Sequence, residues 1–253
     1  MTQPLNAAPE AAPIPPDPVL GAVISNHPSN RLRPLIIGGF IDGIAYLTLN
    51  ATLATLDTWW APPLTIILIA IIVLTVGWSI LHIWNREIVV FERGFSYREG
   101  SQTIFFHYEE IDALRMRAER RAYFGGLLRR TIYRFTVHTL AGETFTISNL
   151  YVRVAQLGEQ LNQRVDRVLI PRFERKLTAG ETIPFGEQIR LSATGLRADS
   201  RDLPWDQFGG WEVKARALHL KQRDGAVWAS IPLAEIDNIT VLVHFLRARL
   251  QTA

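Results

Sequence analysis

Apolar residues are concentrated in residues 35–84, where two long runs flank the short segment DTWWAPP. The runs contain no Lys or Arg, and Asp42 is their only acid. A helix of about 20 apolar residues spans the ~30 Å hydrocarbon layer of a bilayer. The pattern therefore predicts a transmembrane hairpin over residues 34–84, with helices at residues 34–56 and 63–84. A buried hairpin of a soluble protein is the alternative, but no other segment is apolar enough to surround both helices.

The segments that flank the hairpin differ from it in composition. Residues 1–30 are rich in Pro and Ala, which predicts a disordered tail because such a segment has few core-forming side chains. Arg31, Arg33 and Arg86 stand at the outer ends of the hairpin, whereas the loop between its helices has no basic residue. Basic residues collect on the cytoplasmic side of a membrane. We therefore expect a multi-pass protein of the cell (inner or plasma) membrane with both termini in the cytoplasm.

After residue 86 the apolar pattern changes to a period of two, which is typical of β-strands. The stretch REIVVFERGFSYREG predicts two strands joined at a glycine turn, and QTIFFHYEEI predicts a third. A hairpin that turns at Ala141-Gly142 follows, and residues 152–169 have the apolar stripe of a helix. One face of that helix is expected to cover the sheet.

The same order recurs in the last part of the chain. IRLSATGLRAD matches IVVFERGFSYR, with Gly195 in the position of Gly94, and LPWDQF matches FHYEEI. LHLKQRDGAVWASI matches FTVHTLAGETFTIS, and residues 233–250 again have a helical stripe. Four matches in one order predict an internal duplication, with units at residues 86–177 and 178–253.

These strands, the hairpin and the closing helix resemble the bacterial pleckstrin-homology-like (PH-like) domains, in which two preceding transmembrane helices are also common. The resemblance implies an α+β fold: a transmembrane hairpin followed by tandem PH-like antiparallel β modules, each closed by a C-terminal helix. It also implies a binding scaffold and no enzyme. The glycine turns at Gly94 and Gly195 are short and contain at most one base. Specific phosphoinositide binding is therefore not expected.

Composition and motifs exclude several kinds of chemistry. The net charge is only +3, and the chain has no Cys, so it has neither disulfides nor thiolate metal sites. The six His residues lack metal-ligand spacing, and no nucleophile-elbow, Walker or dinucleotide-binding glycine pattern is present. Glu109 and Glu110 are adjacent on a predicted strand and would point to opposite faces. We expect no catalytic residues, no metal and no cofactor.

Arginines cluster around the apolar segment of RRAYFGGLLRR. Arginines near an anionic bilayer contribute about 1 kcal/mol each, while aromatic side chains enter the interface. One alternative is a solvated hairpin whose arginines pair with Glu109, Glu110 and Asp112; another is a protein partner. No recognised motif predicts nucleic-acid binding. The candidate contact residues are Arg115, Arg117, Arg120, Arg121, Tyr123, Phe124, Arg129 and Arg130.

Small residues predict how the two transmembrane helices pack. In an antiparallel pair, Gly39 would lie opposite Ser79 and Gly43 opposite Thr75, which permits close backbone approach. Asp42 falls one step from this line. An acid inside a membrane is a functional candidate, but the hydroxyls of Thr75 and Ser79 also offer it structural partners.

Together these patterns predict a membrane-anchored cytoplasmic protein that binds or scaffolds without catalysis. The lipid bilayer is the expected partner, with anionic headgroups or a membrane protein as further partners, and nucleic acid is not expected. The alternative is an accessory subunit of a membrane transport or secretion complex that docks through the hairpin.

Overall fold

The chain folds into helices and antiparallel sheets in a computed structural model that describes residues 17–55, 61–123 and 128–252. The helices are α1 (Leu32–Thr55), α2 (Ala61–Trp84), α3 (Val154–Thr178) and α4 (Ile239–Thr252). The strands before α3 are β1 (Val23–Pro28), β2 (Arg86–Phe91), β3 (Gly94–Glu99), β4 (Gln102–His107), β5 (Ile111–Tyr123), β6 (Leu128–Thr139) and β7 (Thr144–Ser148). Those after it are β8 (Ile183–Pro184), β9 (Ile189–Leu191), β10 (Gly195–Ala198), β11 (Arg201–Pro204), β12 (Phe208–Lys214), β13 (Ala217–Gln222) and β14 (Val227–Pro232).

The strands form four sheets in the described part of the chain. One sheet has the strand order β1-β2-β3-β4. Along the chain it is followed by the sheet β5-β6-β7 and by α3, and we call these elements the first unit. Another sheet has the strand order β11-β10-β9-β8. Along the chain it is followed by the sheet β12-β13-β14 and by α4, and we call these elements the second unit. The α+β class predicted from the sequence is confirmed at this level.

Strand β1 precedes the apolar hairpin in the chain, yet it pairs with β2, which follows the hairpin. The pairing runs antiparallel, and beyond it the Ser29 N–H donates to the Arg86 carbonyl at 2.9 Å. The two apolar helices are therefore an insertion between the first two strands of the first unit. The predicted disordered tail is wrong for residues 23–28, and residues 1–16 lie outside the described part.

Polar contacts hold β1 against α3. His27 is only 2% exposed, and its Nδ1 donates to the Val152 carbonyl at 3.0 Å. Its Nε2 lies 3.0 Å from Ser25 Oγ, which in turn donates to the side chain of Gln160 on α3. On the other face, Leu20 packs with buried residues of β2. The segment is ordered by the tertiary contacts of its Ser25 and His27 side chains and by its pairing with β2.

Helix α3 lines the core with one apolar stripe and is longer than the residues 152–169 that the sequence predicts. Its Gly158 lies against the buried ring of Phe135, where a Cβ atom would fall 1.9 Å from Cζ. Near the end of the helix, Phe173 makes an edge-to-face contact with Phe185 of the second unit, with ring centroids 5.6 Å apart. The two units therefore share one continuous core.

Two predicted elements have different boundaries. Strand β4 ends at His107, and Tyr108–Glu110 forms a 3-10 turn in which the Glu110 carboxylate accepts the His107 N–H at 2.9 Å. The helix predicted over residues 233–250 begins at Ile239, because Leu233–Glu235 also forms a 3-10 turn. The carboxylate of Glu110 competes for a backbone N–H that a longer strand would use.

Candidate functional site

The helices α1 and α2 are long and apolar enough to span a membrane. Their side chains lie largely outside the protein core: Phe40 is 70% exposed, Leu74 71% and Trp78 76%. Exposed apolar surface of this extent marks a site of contact with a membrane or with another protein. At their outer ends, the Arg31 guanidinium lies 5.2 Å from the centre of the Trp84 ring.

The helices α1 and α2 pack through a different face of α1 from the one that the sequence predicts. A Cβ atom on Gly38 would meet Val76 Cγ1 at 2.7 Å and Ile80 Cδ1 at 3.1 Å, so Gly38 is a glycine at the contact. A Cβ on Gly39 or Gly43 would meet nothing within 4 Å in the described part. The prediction of Gly39 and Gly43 as contact residues is therefore wrong by one helical position.

The hydroxyls predicted to meet Asp42 bond to their own helix instead. Thr75 Oγ1 donates to the Ile71 carbonyl at 2.7 Å, and Ser79 Oγ donates to the Thr75 carbonyl at 2.9 Å. Asp42 Oδ1 is buried and has no hydrogen-bond partner among the described residues. The predicted hydroxyl partners of Asp42 are therefore wrong, because both hydroxyls are occupied within α2.

Residues of the first unit contact the start of α1 and the end of α2. The Asn30 N–H, just before α1, donates to the Leu150 carbonyl at 2.6 Å. The Gly100 N–H, in the β3–β4 turn, donates to the Asn85 carbonyl, just after α2, at 3.1 Å. Arg86 forms an ion pair with Glu99. These contacts define the helix-proximal rim, which includes the β3–β4 turn and the loop between β7 and α3.

The part of the arginine-rich β5–β6 hairpin that extends past the end of β7 begins at this rim. The Asn149 side chain accepts the Tyr133 N–H at 2.6 Å and donates to the Thr131 carbonyl at 2.9 Å. Asn149 is adjacent to Leu150, which bonds to Asn30. Beyond Thr131 the two strands continue in register as far as the pair Tyr123 and Leu128. The side chains of Arg120, Arg121, Tyr123, Phe124, Arg129 and Arg130 lie outside the described part of the structure.

Two of the predicted lipid-contact arginines are paired within the protein. Arg115 donates to Asp237 through Nε at 2.7 Å and through Nη2 at 3.1 Å, and this hydrogen bonding raises the pKa of Arg115 above its ordinary value. Arg117 Nε lies 2.6 Å from Glu119. The prediction of lipid contact therefore fits these two residues poorly. The alternative pairing with Glu109, Glu110 and Asp112 is wrong for these two arginines, whose acidic partners are Asp237 and Glu119.

Asn238 joins the two units and is a residue that sequence reasoning missed. It is 3% exposed, and its side chain accepts the Leu114 N–H at 2.8 Å and donates to the Asp112 carbonyl at 3.2 Å. Its own N–H donates to the Leu114 carbonyl at 3.0 Å. Asn238 therefore occupies the edge of β5 as a neighbouring strand would.

Beside Asn238 a cleft of about 570 Å³ lies between the units. Its charged or titratable lining residues carry both signs and come from both units: Asp112, Arg115, His138, Lys176, Glu187 and Asp237. Across residues 17–55, 61–123 and 128–252, no group of three or more His, Asp or Glu side chains could hold a metal ion.

Taken together, the fold and the rim define an α+β protein in which two helices capable of crossing a membrane are inserted into the first of two β-rich units. The chain belongs to a family of unknown function, DUF6585, because the family model matches residues 15–253. This match includes β1 together with the helices and both units. Neither the curated proteins nor the solved structures contain a match to the chain.

Proposed function

We propose that this chain is a membrane-anchored, non-enzymatic binding or scaffold protein of bacterial type, with two duplicated PH-like modules in the cytoplasm. In this proposal, α1 and α2 cross the bilayer, and the arginine-rich β5–β6 hairpin contacts anionic lipid. The duplication, the membrane topology and the lipid contact are supported by separate observations.

Equivalent close contacts at two glycines support the duplication. A Cβ on Gly94 would lie 2.1 Å from the Phe106 carbonyl oxygen, and a Cβ on Gly195 would lie 2.3 Å from that of Leu203. Each glycine opens the second strand of the matched hairpin, and each permits close approach of the next strand. The shared contact supports a duplication because the two glycines occupy matched positions in the two sheets.

The aromatic residue after the next strand makes the same contact in both units. Tyr108 OH donates to the Phe91 carbonyl at 3.0 Å, and Trp205 Nε1 is shared between the Ala193 carbonyl at 3.0 Å and the Ser192 carbonyl at 3.3 Å. Phe91 and Ser192 each lie three residues before the matched glycine. These bonds close each four-stranded sheet at one end, which fits the partly open barrel of a PH-like module.

The pairing of β1 with β2 supports the proposed topology. These strands flank the hairpin and pair with each other, so in the proposed arrangement the segments on both sides of the hairpin share one side of the membrane. Arg31, Arg33 and Arg86 favour the cytoplasmic side.

The observation that supports the lipid contact is the position at which the β5–β6 hairpin extends past β7. Asn149 fixes Thr131 and Tyr133 at the helix-proximal rim, one residue from the contact with Asn30. The rest of the hairpin, which contains four further arginines, extends from this point. A tethered basic hairpin this close to a bilayer needs only weak attraction to settle on it.

The proposal predicts that the β5–β6 hairpin contacts anionic bilayers and does not contact neutral ones. The chain has no Cys, so an Ala122→Cys variant of the full-length protein can be labelled there with a fluorophore. In reconstituted bilayers with nitroxide-labelled lipid, we expect quenching to increase when phosphatidylglycerol is added to phosphatidylcholine. Replacement of Arg120, Arg121, Arg129 and Arg130 by Ser should remove that increase, because about 1 kcal/mol is lost per arginine.

A matched control removes the same charge elsewhere. Replacement of Arg190, Arg201, Arg216 and Arg223, all in the second unit, by Ser should leave the quenching at position 122 unchanged. Equal quenching in neutral and anionic bilayers, or equal loss in both sets of variants, would refute a specific lipid contact of the hairpin.

The accessory-subunit function remains a second candidate because the face of α1 that contains Gly39 and Gly43 is open in the described structure. Small residues on a lipid-facing helix permit another helix to approach closely. Purification in mild detergent separates the two candidates: a stoichiometric membrane partner favours the subunit, and a lone protein with lipid affinity favours the scaffold.

A further inference from the structure

We propose that the first unit also rests on the bilayer through an apolar spot on β4, formed by Ile104 and Phe105. This inference rests on the proposed membrane anchoring and adds a contact that does not depend on anionic lipid. Its partner is the interfacial region of the same bilayer that α1 and α2 would cross.

Strand register brings this spot close to the helix ends. Gly100, in the turn before β4, bonds to Asn85, the residue that follows α2. Ile104 pairs with Tyr97 and Phe105 with Ser96, a few residues from that turn. At about 3.3 Å per residue, Ile104 lies only ~7 Å along the strand from Gln102. Headgroup regions occupy ~5–7 Å on each side of the hydrocarbon layer, so the spot is within their reach.

The exposure of these two side chains is unexplained by the fold itself. Ile104 is 47% exposed and Phe105 is 51% exposed, although both are large and apolar. Because they are adjacent on a strand, they point to opposite faces of the sheet, and no single covering element could bury both. A bilayer surface into which the hairpin dips covers both faces at once. Val152, 39% exposed, lies on the same rim, where its N–H donates to the Pro28 carbonyl.

One basic side chain borders the spot and another lies on the helix-proximal rim, as in an interfacial segment. Arg98 lies on the same face of the sheet as Phe105, and its Nε donates to the Gly100 carbonyl at 3.4 Å. Arg153 follows Val152 directly. Apolar side chains flanked by arginines are typical of segments that lie at the level of lipid headgroups. This charge pattern favours lipid over a second copy of the chain, since two arginine-bordered edges would repel each other.

The test measures the depth of position 105 in the full-length protein. Phe105→Cys and Leu140→Cys variants are labelled with the same environment-sensitive fluorophore and reconstituted in bilayers of phosphatidylcholine alone, with nitroxide-labelled lipid as quencher. Leu140 is the matched control because it is 61% exposed in the same unit, and its N–H bonds to Glu110 at the opposite end of β4. We expect a blue shift and a loss of fluorescence at position 105, and neither at position 140.

Equal, water-like emission from both positions would overturn the inference, as would a blue shift at position 105 without quenching by lipid, which would indicate a protein partner or a second copy. The neutral bilayer separates this result from that of the arginine hairpin. Quenching at position 105 supports the inference even if anionic lipid has no effect at position 122, and its absence overturns the inference even if that effect is found.

Discussion

A chain that lacks residues 1–28 is expected to lose much of the stability of its first unit, because β1 is removed. The deletion uncovers Val89 and Phe91, now 5% and 3% exposed, and it removes Leu20 from their surface. A buried leucine contributes about 1.5–3 kcal/mol, and each lost hydrogen bond about 1 kcal/mol. The expected loss is therefore roughly 5 kcal/mol, a large part of the stability of an ordinary domain.

The measurement is chemical unfolding in mild detergent, followed by near-ultraviolet circular dichroism. The control is deletion of residues 1–16 alone, which leaves β1 and Leu20 in the chain and should leave the unfolding midpoint unchanged. A midpoint that is equal in the two shortened chains would contradict the assignment of β1 to the first unit.

Replacement of Asn238 is expected to weaken the junction between the units. Asn238→Gly removes the side-chain bonds to the Leu114 N–H and the Asp112 carbonyl, and an unsatisfied buried group costs about 1–3 kcal/mol. We expect a loss of roughly 3 kcal/mol in the free energy of unfolding. Asn238→Ala should lose about 1 kcal/mol more, because Asn238 has a φ of 50° and alanine tolerates that conformation poorly.

Arg153 provides the control for the effect of the left-handed backbone conformation on stability. It occupies the corresponding position before α3, with a φ of 55°, and its side chain makes no capping bond. Arg153→Ala should therefore change the stability by less than about 0.5 kcal/mol. If Asn238→Gly were as mild as Arg153→Ala, the bonds to β5 would not hold the units together.

Local patterns in the sequence were sufficient to predict the apolar helices, the alternating strands and the stripes of the two closing helices. Strand β1 escaped prediction because its polar residues become ordered only through Val152 and Gln160, far along the chain. The helix contact was wrong by one position because α1 and α2 are apolar on every side, so periodicity does not identify the packed face.

The candidate site was predictable only in part. The arginine cluster is evident in the sequence, but the pairing of Arg115 with Asp237 is not, since the two residues lie on different units. Asn238 has no distinguishing local motif, and its importance comes from the edge of β5 that it meets. Contacts between units depend on how they dock, which a pattern along the chain does not encode.

The central claim is that the chain crosses the membrane twice between two paired strands. Ile24→Cys, Thr58→Cys and Leu140→Cys variants of this Cys-free chain can be exposed to a membrane-impermeant maleimide in right-side-out and inverted vesicles. The account predicts that positions 24 and 140 react only in inverted vesicles and that position 58, between the helices, reacts only in right-side-out ones. Reaction of position 58 from the same side as positions 24 and 140 would contradict it.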